Sequence, residues 1–252
     1  MNTQQALYTY LLRLGDSALI QGHRLSEWCS RGPILEEDLA LTNLALDHIG
    51  RAQALLKYAG EVEGQGRSED DLAYRRGERA FLNPLITELP NGDFAFTMAR
   101  MLLVAAFEYP LYNTLIQSAD TTLAGIAAKA VKEVRYHLIH AQDWCYRLGK
   151  GTELSHQKLQ AAFDELWMFT GELFEMDQVD EVLFSSDIAA DLHTVREVWR
   201  KTVMETLQQA TIREPQADYM QSGSRQGIHT EYLGHILTEM QYLQRAYPDA
   251  TW

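Results

Sequence analysis

This sequence predicts an all-α protein, on three observations. Apolar residues recur at intervals of three and four along most of the chain, Val/Ile/Thr alternation of the strand type is nearly absent, and only 6 prolines interrupt 252 residues. With 46% apolar residues the chain can bury a full core, and the simplest reading is a single domain over 1–252.

The elements follow from punctuation. In the first segment Leu7, Leu11, Leu14, Ala18 and Leu25 form one apolar stripe, and Arg31-Gly32-Pro33 closes that helix. The polar run Gly64 to Asp71 closes the second. Pro90-Asn91-Gly92-Asp93 precedes a third long helix, with Asp93 placed as its N-cap, and Ser118 to Thr122 marks its end. A fourth runs to the break Gly149-Lys150-Gly151-Thr152. Two more helices are expected over roughly 153–175 and 191–211, and a last one from about 229 to 246, stopped by Pro248. Four helices of about 25–30 residues would each reach about 40 Å at 1.5 Å per residue. That length suits a ferritin-like four-helix bundle with additional helices, and the stretch from about 64 to 92 could be the crossover such bundles use.

Charge excludes some partners. Lys+Arg total 22 against 35 Asp+Glu, a net −13, which argues against a nucleic-acid footprint and against an anionic membrane surface. The first twenty residues lack a secretory signal's basic start, and no uninterrupted apolar run approaches the roughly 20 residues of a spanning helix. Cys29 and Cys145 form no CxxC pair or disulfide framework. A soluble, cytoplasmic protein is expected.

A helical bundle of this kind raises the question of metal. A ferritin-like di-metal site takes a Glu from each of two helices and a Glu-x-x-His from each of the other two, because residues three apart share a helix face. Across the chain, the one acidic residue with a His three positions later is Glu153, with His156, at the solvated start of a helix where the pairing reads as coincidence. In KEVRYHLIHAQDW (132–144), Glu133 and His137 are four apart; the position three before His137 is Val134, and the position three after Glu133 is Tyr136. In the second helix Asp47 is followed by Gly50, and His48 by Arg51, a fixed cation where a metal would bind. Asp16 and Glu108 are available on the first and third helices. Such a centre needs about six protein ligands, and this chain offers about half of them. Asp16, Asp47, Glu133 and His137 therefore read as relic positions, with no catalytic, cofactor-binding or metal-binding residue assigned. Asp47 with Arg51, and Glu133 with Lys129 or Arg135, are expected to fill the space as a buried ionic network, and Glu133–His137 also has the i,i+4 spacing of a structural acid–His pair. The competing reading is a divergent di-iron or di-manganese oxygenase using Asp16, Asp47, Glu108, Glu133 and His137.

The segments LRLGDSALI, LALTNLALDHIGRAQ, ELPNGDFAFTMAR, KAVKEVRYHL, ELWMFTGELF and the ending GIHTEYLGHILTEMQYLQRAYP (227–248) together resemble the structural, ferritin-like subunit family of the bacterial phenylacetyl-CoA epoxidase complex, over nearly the whole chain. The resemblance implies a metal-free subunit of a hetero-oligomer. Its partners would be a catalytic di-iron subunit, a small third subunit and a reductase passing electrons from NADPH. The complex as a whole would convert the CoA thioester of phenylacetate to a ring epoxide. It implies no cofactor on this chain and no catalytic residue carried over to it.

Overall fold

A computed structural model describes residues 1–248 and 250, and all regular secondary structure among them is helical. The chain divides into two compact units, Met1–Pro90 with the stretch from Gly223 onward, and Asn91–Ser222.

The first unit is built on α1 (Thr3–Ser26) and α2 (Leu35–Glu63). They run antiparallel, with Gln4 Nε2 donating to the Val62 carbonyl at 2.7 Å at one end and Gly22 against Ala45 and Ile49 toward the other. All five stripe residues of α1, Leu7, Leu11, Leu14, Ala18 and Leu25, are buried. Asn2 accepts from the Gln5 N–H and caps α1, while α2 ends on Gly64 in the left-handed conformation, φ 72°. The connecting stretch expected from about 64 to 92 is not structureless. It holds α3 (Glu69–Tyr74), started by a Ser68/Asp71 capping box, a 3-10 turn at Glu78–Ala80 and α4 (Leu85–Glu88).

The second unit repeats the plan with α5 (Phe94–Leu115) and α6 (Thr121–Gly149), whose ends meet where Phe94 packs edge-on against Trp144 at 4.9 Å. Asp93 caps α5 as expected, accepting from Phe96 N–H at 3.1 Å. By length and composition α5 could cross a membrane, but 72% of its most apolar window is buried, against α6, α7 (Glu153–Leu166) and α9 (Leu192–Gln209). Trp199 of α9 donates its Nε1 hydrogen to the Leu103 carbonyl at 2.9 Å. Each unit thus supplies one long antiparallel pair of the sort from which ferritin-like bundles are assembled.

Two elements differ from expectation. The helix expected to 175 stops at Leu166, and 3-10 turns at Trp167–Phe169 and Gly171–Phe174 follow. Trp167 and Phe174 then reach Trp199 with ring centroids 5.5 and 5.1 Å away, a packing that a straight continuation would not give. A further short helix, α8 (Gln178–Phe184), leads to α9. The chain returns to the first unit as α10 (Glu231–Ala246).

The end of α6 shows how tightly the second unit closes. A Cβ on Gly149 would sit 2.0 Å from the Ala210 carbonyl oxygen, which is backbone and has no rotamer to escape into. Gly149→Ala is expected to cost about 1–3 kcal/mol in urea unfolding, the usual penalty for overpacking.

Candidate functional site

A metal site would stand on the inward faces of the long helices, so the decisive facts are which side chains those faces present. On α1 the carboxylate is there: Asp16 is fully buried. It is also paired with a cation. Arg76, from the crossover just after α3, sets its guanidinium against Asp16, Nη2 on Oδ1 and Nη1 on Oδ2 at 3.0 Å. The Leu82 backbone N–H adds a third donor to Oδ2 at 2.9 Å. Arg76 is itself fixed, with Nη1 donating to the Ala80 carbonyl at 2.7 Å, Nε to the Leu72 carbonyl, and the guanidinium 4.3 Å over the Phe81 ring. Its backbone carbonyl accepts from Gln241 Nε2 and Arg245 Nη2 of α10, both at 3.0 Å. A bidentate Arg–carboxylate pair with a third donor on Oδ2 is neutralised and largely occupied, so it offers a metal little negative potential.

On α2 the inward residues three apart are His48 and Arg51, each 3% exposed. Arg51 Nη2 lies 2.7 Å from His48 Nδ1. A guanidinium can only donate, so Nδ1 accepts, and His48 is the neutral tautomer with its proton on Nε2. Asp47 lies one position off this face and is half-buried. Arg51 thus bonds its own-helix neighbour His48 through Nη2.

In the second unit the same count holds on α6. Val134 and His137 are the inward pair, 0% and 1% exposed. The slot where a Glu-x-x-His would place its carboxylate is thus a valine. Glu133 lies beside that face and pairs with Lys129 at 3.6 Å, where Lys129 is 75% exposed. The sequence assigns this pair to a buried network; it lies instead at the surface, where such pairs contribute little. The alternative i,i+4 partner, His137, points into the core while Glu133 turns to Lys129. Glu108 of α5 is 4% exposed.

Glu153 and His156 turn to different partners: Glu153 accepts from Gln157 Nε2 at 2.7 Å, and His156 Nδ1 faces the Gly149 carbonyl at 2.8 Å. Cys145 is buried, and burial pushes its thiol well above the ordinary range, while Cys29 is exposed. Among the described residues no three His, Cys, Asp or Glu side chains come together in a way that could hold a metal ion. The donor set present does not fit a di-iron centre.

The residue that the sequence did not reveal is Arg76. It lies sixty positions from Asp16 in a polar connecting segment, and no periodicity assigns a partner to a single arginine in such a place.

Two comparisons bear on this arrangement. A family model described as phenylacetic acid catabolic protein matches residues 1–252. The chain is also 47% identical over 246 residues to a subunit of the 1,2-phenylacetyl-CoA epoxidase of Escherichia coli strain K12, covering 98% of this chain and 99% of that protein.

Proposed function

Because the chain belongs to the phenylacetic acid catabolic protein family, we propose that it is the non-catalytic, structural subunit of a phenylacetyl-CoA epoxidase complex. Its role is to pair with and stabilise a catalytic di-iron subunit, with a small third subunit and an NADPH-dependent reductase completing a cytoplasmic hetero-oligomer. The substrate, the CoA thioester of phenylacetate, is epoxidised on the partner. This chain supplies no ligand to iron and no proton to the reaction.

One observation carries the reading. Where a Glu-x-x-His pair is needed, α2 presents His48-x-x-Arg51 and α6 presents Val134-x-x-His137, all four buried. A carboxylate is missing from both, and in α2 a cation stands in the register. The charge on Asp16 that a metal would balance is balanced by Arg76. The net charge of −13 also supports leaving the recognition of an anionic CoA ester to a partner.

Co-expression tests it. The expected result is co-purification with the di-iron subunit in a fixed ratio, with iron accompanying the partner and near-zero iron or manganese on this chain purified alone from metal-replete medium. About two metal ions per chain, the load of a di-metal bundle, would overturn the proposal, as would a catalytic subunit that is soluble and fully active without this one.

A further inference from the structure

The C-terminal part of the first unit closes on a buried cluster that the proposed function does not use. Glu88, at the end of α4, and His229, just before α10, have side chains that are each 0% exposed. The Glu88 carboxylate accepts at both oxygens: Oε1 from the Thr230 backbone N–H at 2.6 Å, and Oε2 from Asn83 Nδ2 at 2.9 Å. His229 Nδ1 lies 2.9 Å from the same Oε2, and its Nε2 lies 2.8 Å from the Phe81 carbonyl oxygen. A carbonyl can only accept, so Nε2 carries a hydrogen. An ionised Glu88 can only accept, and against it Nδ1 is a donor as well.

We infer that His229 is held as an imidazolium with both ring protons engaged, and that this proton forms a latch fastening the segment from Gly223 through α10 to the rest of the first unit. The fit around it is close. Gly227, at φ 69°, packs where a Cβ would stand 2.2 Å from the Arg79 carbonyl oxygen. Charged groups on the neighbouring elements are Arg24 and Glu27 of α1 and Glu78 and Arg79 of the 3-10 turn, with Glu231 two positions on at the start of α10. Arg24 directs Nε and Nη2 to the Glu88 backbone carbonyl at 3.1 and 2.6 Å, and Nη1 to Glu27 at 2.7 Å. Glu78 Oε2 faces Gly234.

The latch has a sign. In the opened segment His229 would titrate near its ordinary value, about 6.5, and lose its proton above it. The closed segment keeps that proton, so it binds more protons than the open one and its advantage declines as pH rises. Closure is thus at full strength below about pH 6.5 and weakens by up to about tenfold per pH unit above it, until the latched group itself titrates.

Amide hydrogen exchange on the full-length chain, corrected for the intrinsic rate, reads this directly. The protection of residues 231–246 is expected to fall by up to about tenfold per unit between about pH 6.5 and 8.5 while that of α5 stays level. His229→Gln should lower α10 protection at pH 6.5 and remove its pH dependence. The ring ¹⁵N shifts of His229 in the wild-type chain at pH 7 should show two protonated nitrogens. A pyridine-type nitrogen at pH 7, or α10 protection that does not change with pH, overturns the latch; should His229→Gln fail to fold, the wild-type ring shifts decide alone.

Discussion

Replacing Arg76 by methionine is expected to destabilise the chain by about 3–5 kcal/mol, the cost of leaving one partner of a buried ion pair uncompensated. Asp16 is fully buried, and without Arg76 it retains one of its donors, the Leu82 N–H. Methionine keeps much of the apolar contact over Phe81 while removing the charge and the bonds to Asp16, Ala80 and Leu72. Such a loss is a large fraction of a typical stability of about 5–15 kcal/mol, so the urea midpoint should drop steeply. The double substitution Asp16→Leu with Arg76→Met discriminates between causes. It removes both charges and should recover more than half of the loss, because an apolar pair of similar volume carries no desolvation penalty. If the double variant is as unstable as the single one, the charge pair is not what holds the crossover, and the carbonyl bonds of Arg76 are. If the single variant is as stable as wild type, Asp16 has another counter-charge, and Arg76 is not what neutralises it.

That pair also marks the boundary of what the sequence could reveal. The four long helices are legible because their apolar stripes are long and their ends carry strong signals, such as Asp93 before α5 and Gly64 after α2. The empty ligand register is legible for the same reason: residues three apart on a helix must share a face, so Val134 with His137 and His48 with Arg51 can be counted without coordinates. The break after Leu166 is hidden because the apolar spacing continues through Trp167 and Phe174; tertiary packing on Trp199 turns the chain there. The partners of Asp16, Arg51 and Glu88 are hidden as well. Each is set by a segment distant in sequence, or by which of several equally spaced neighbours the backbone brings nearer. Arg51 has Asp47 at i−4 and His48 at i−3, and spacing alone does not reveal its bond to His48.

Val134→Glu tests the empty register from the other side, since it rebuilds Glu-x-x-His on α6 with His137 already in place. Val134 is fully buried in a helix interior, so the new carboxylate has to be desolvated. The expected result is a loss of about 3 kcal/mol or more, in the range for an unpaired buried charge. Burial raises the pKa of such a group, so the folded state binds a proton that the unfolded state releases above about pH 4.3. The loss should therefore be smallest at acid pH and grow as pH rises toward 8, which equilibrium urea unfolding at several pH values would measure. No metal should follow. One restored Glu-x-x-His supplies two of the about six protein ligands such a centre needs, and α2 presents His48-x-x-Arg51 rather than a second such pair. Iron or manganese bound at about two per chain, with stability restored by the metal, would mean that the valine alone keeps the bundle empty. The experiment thus separates a chain that lacks one ligand from a chain that lacks most of the set.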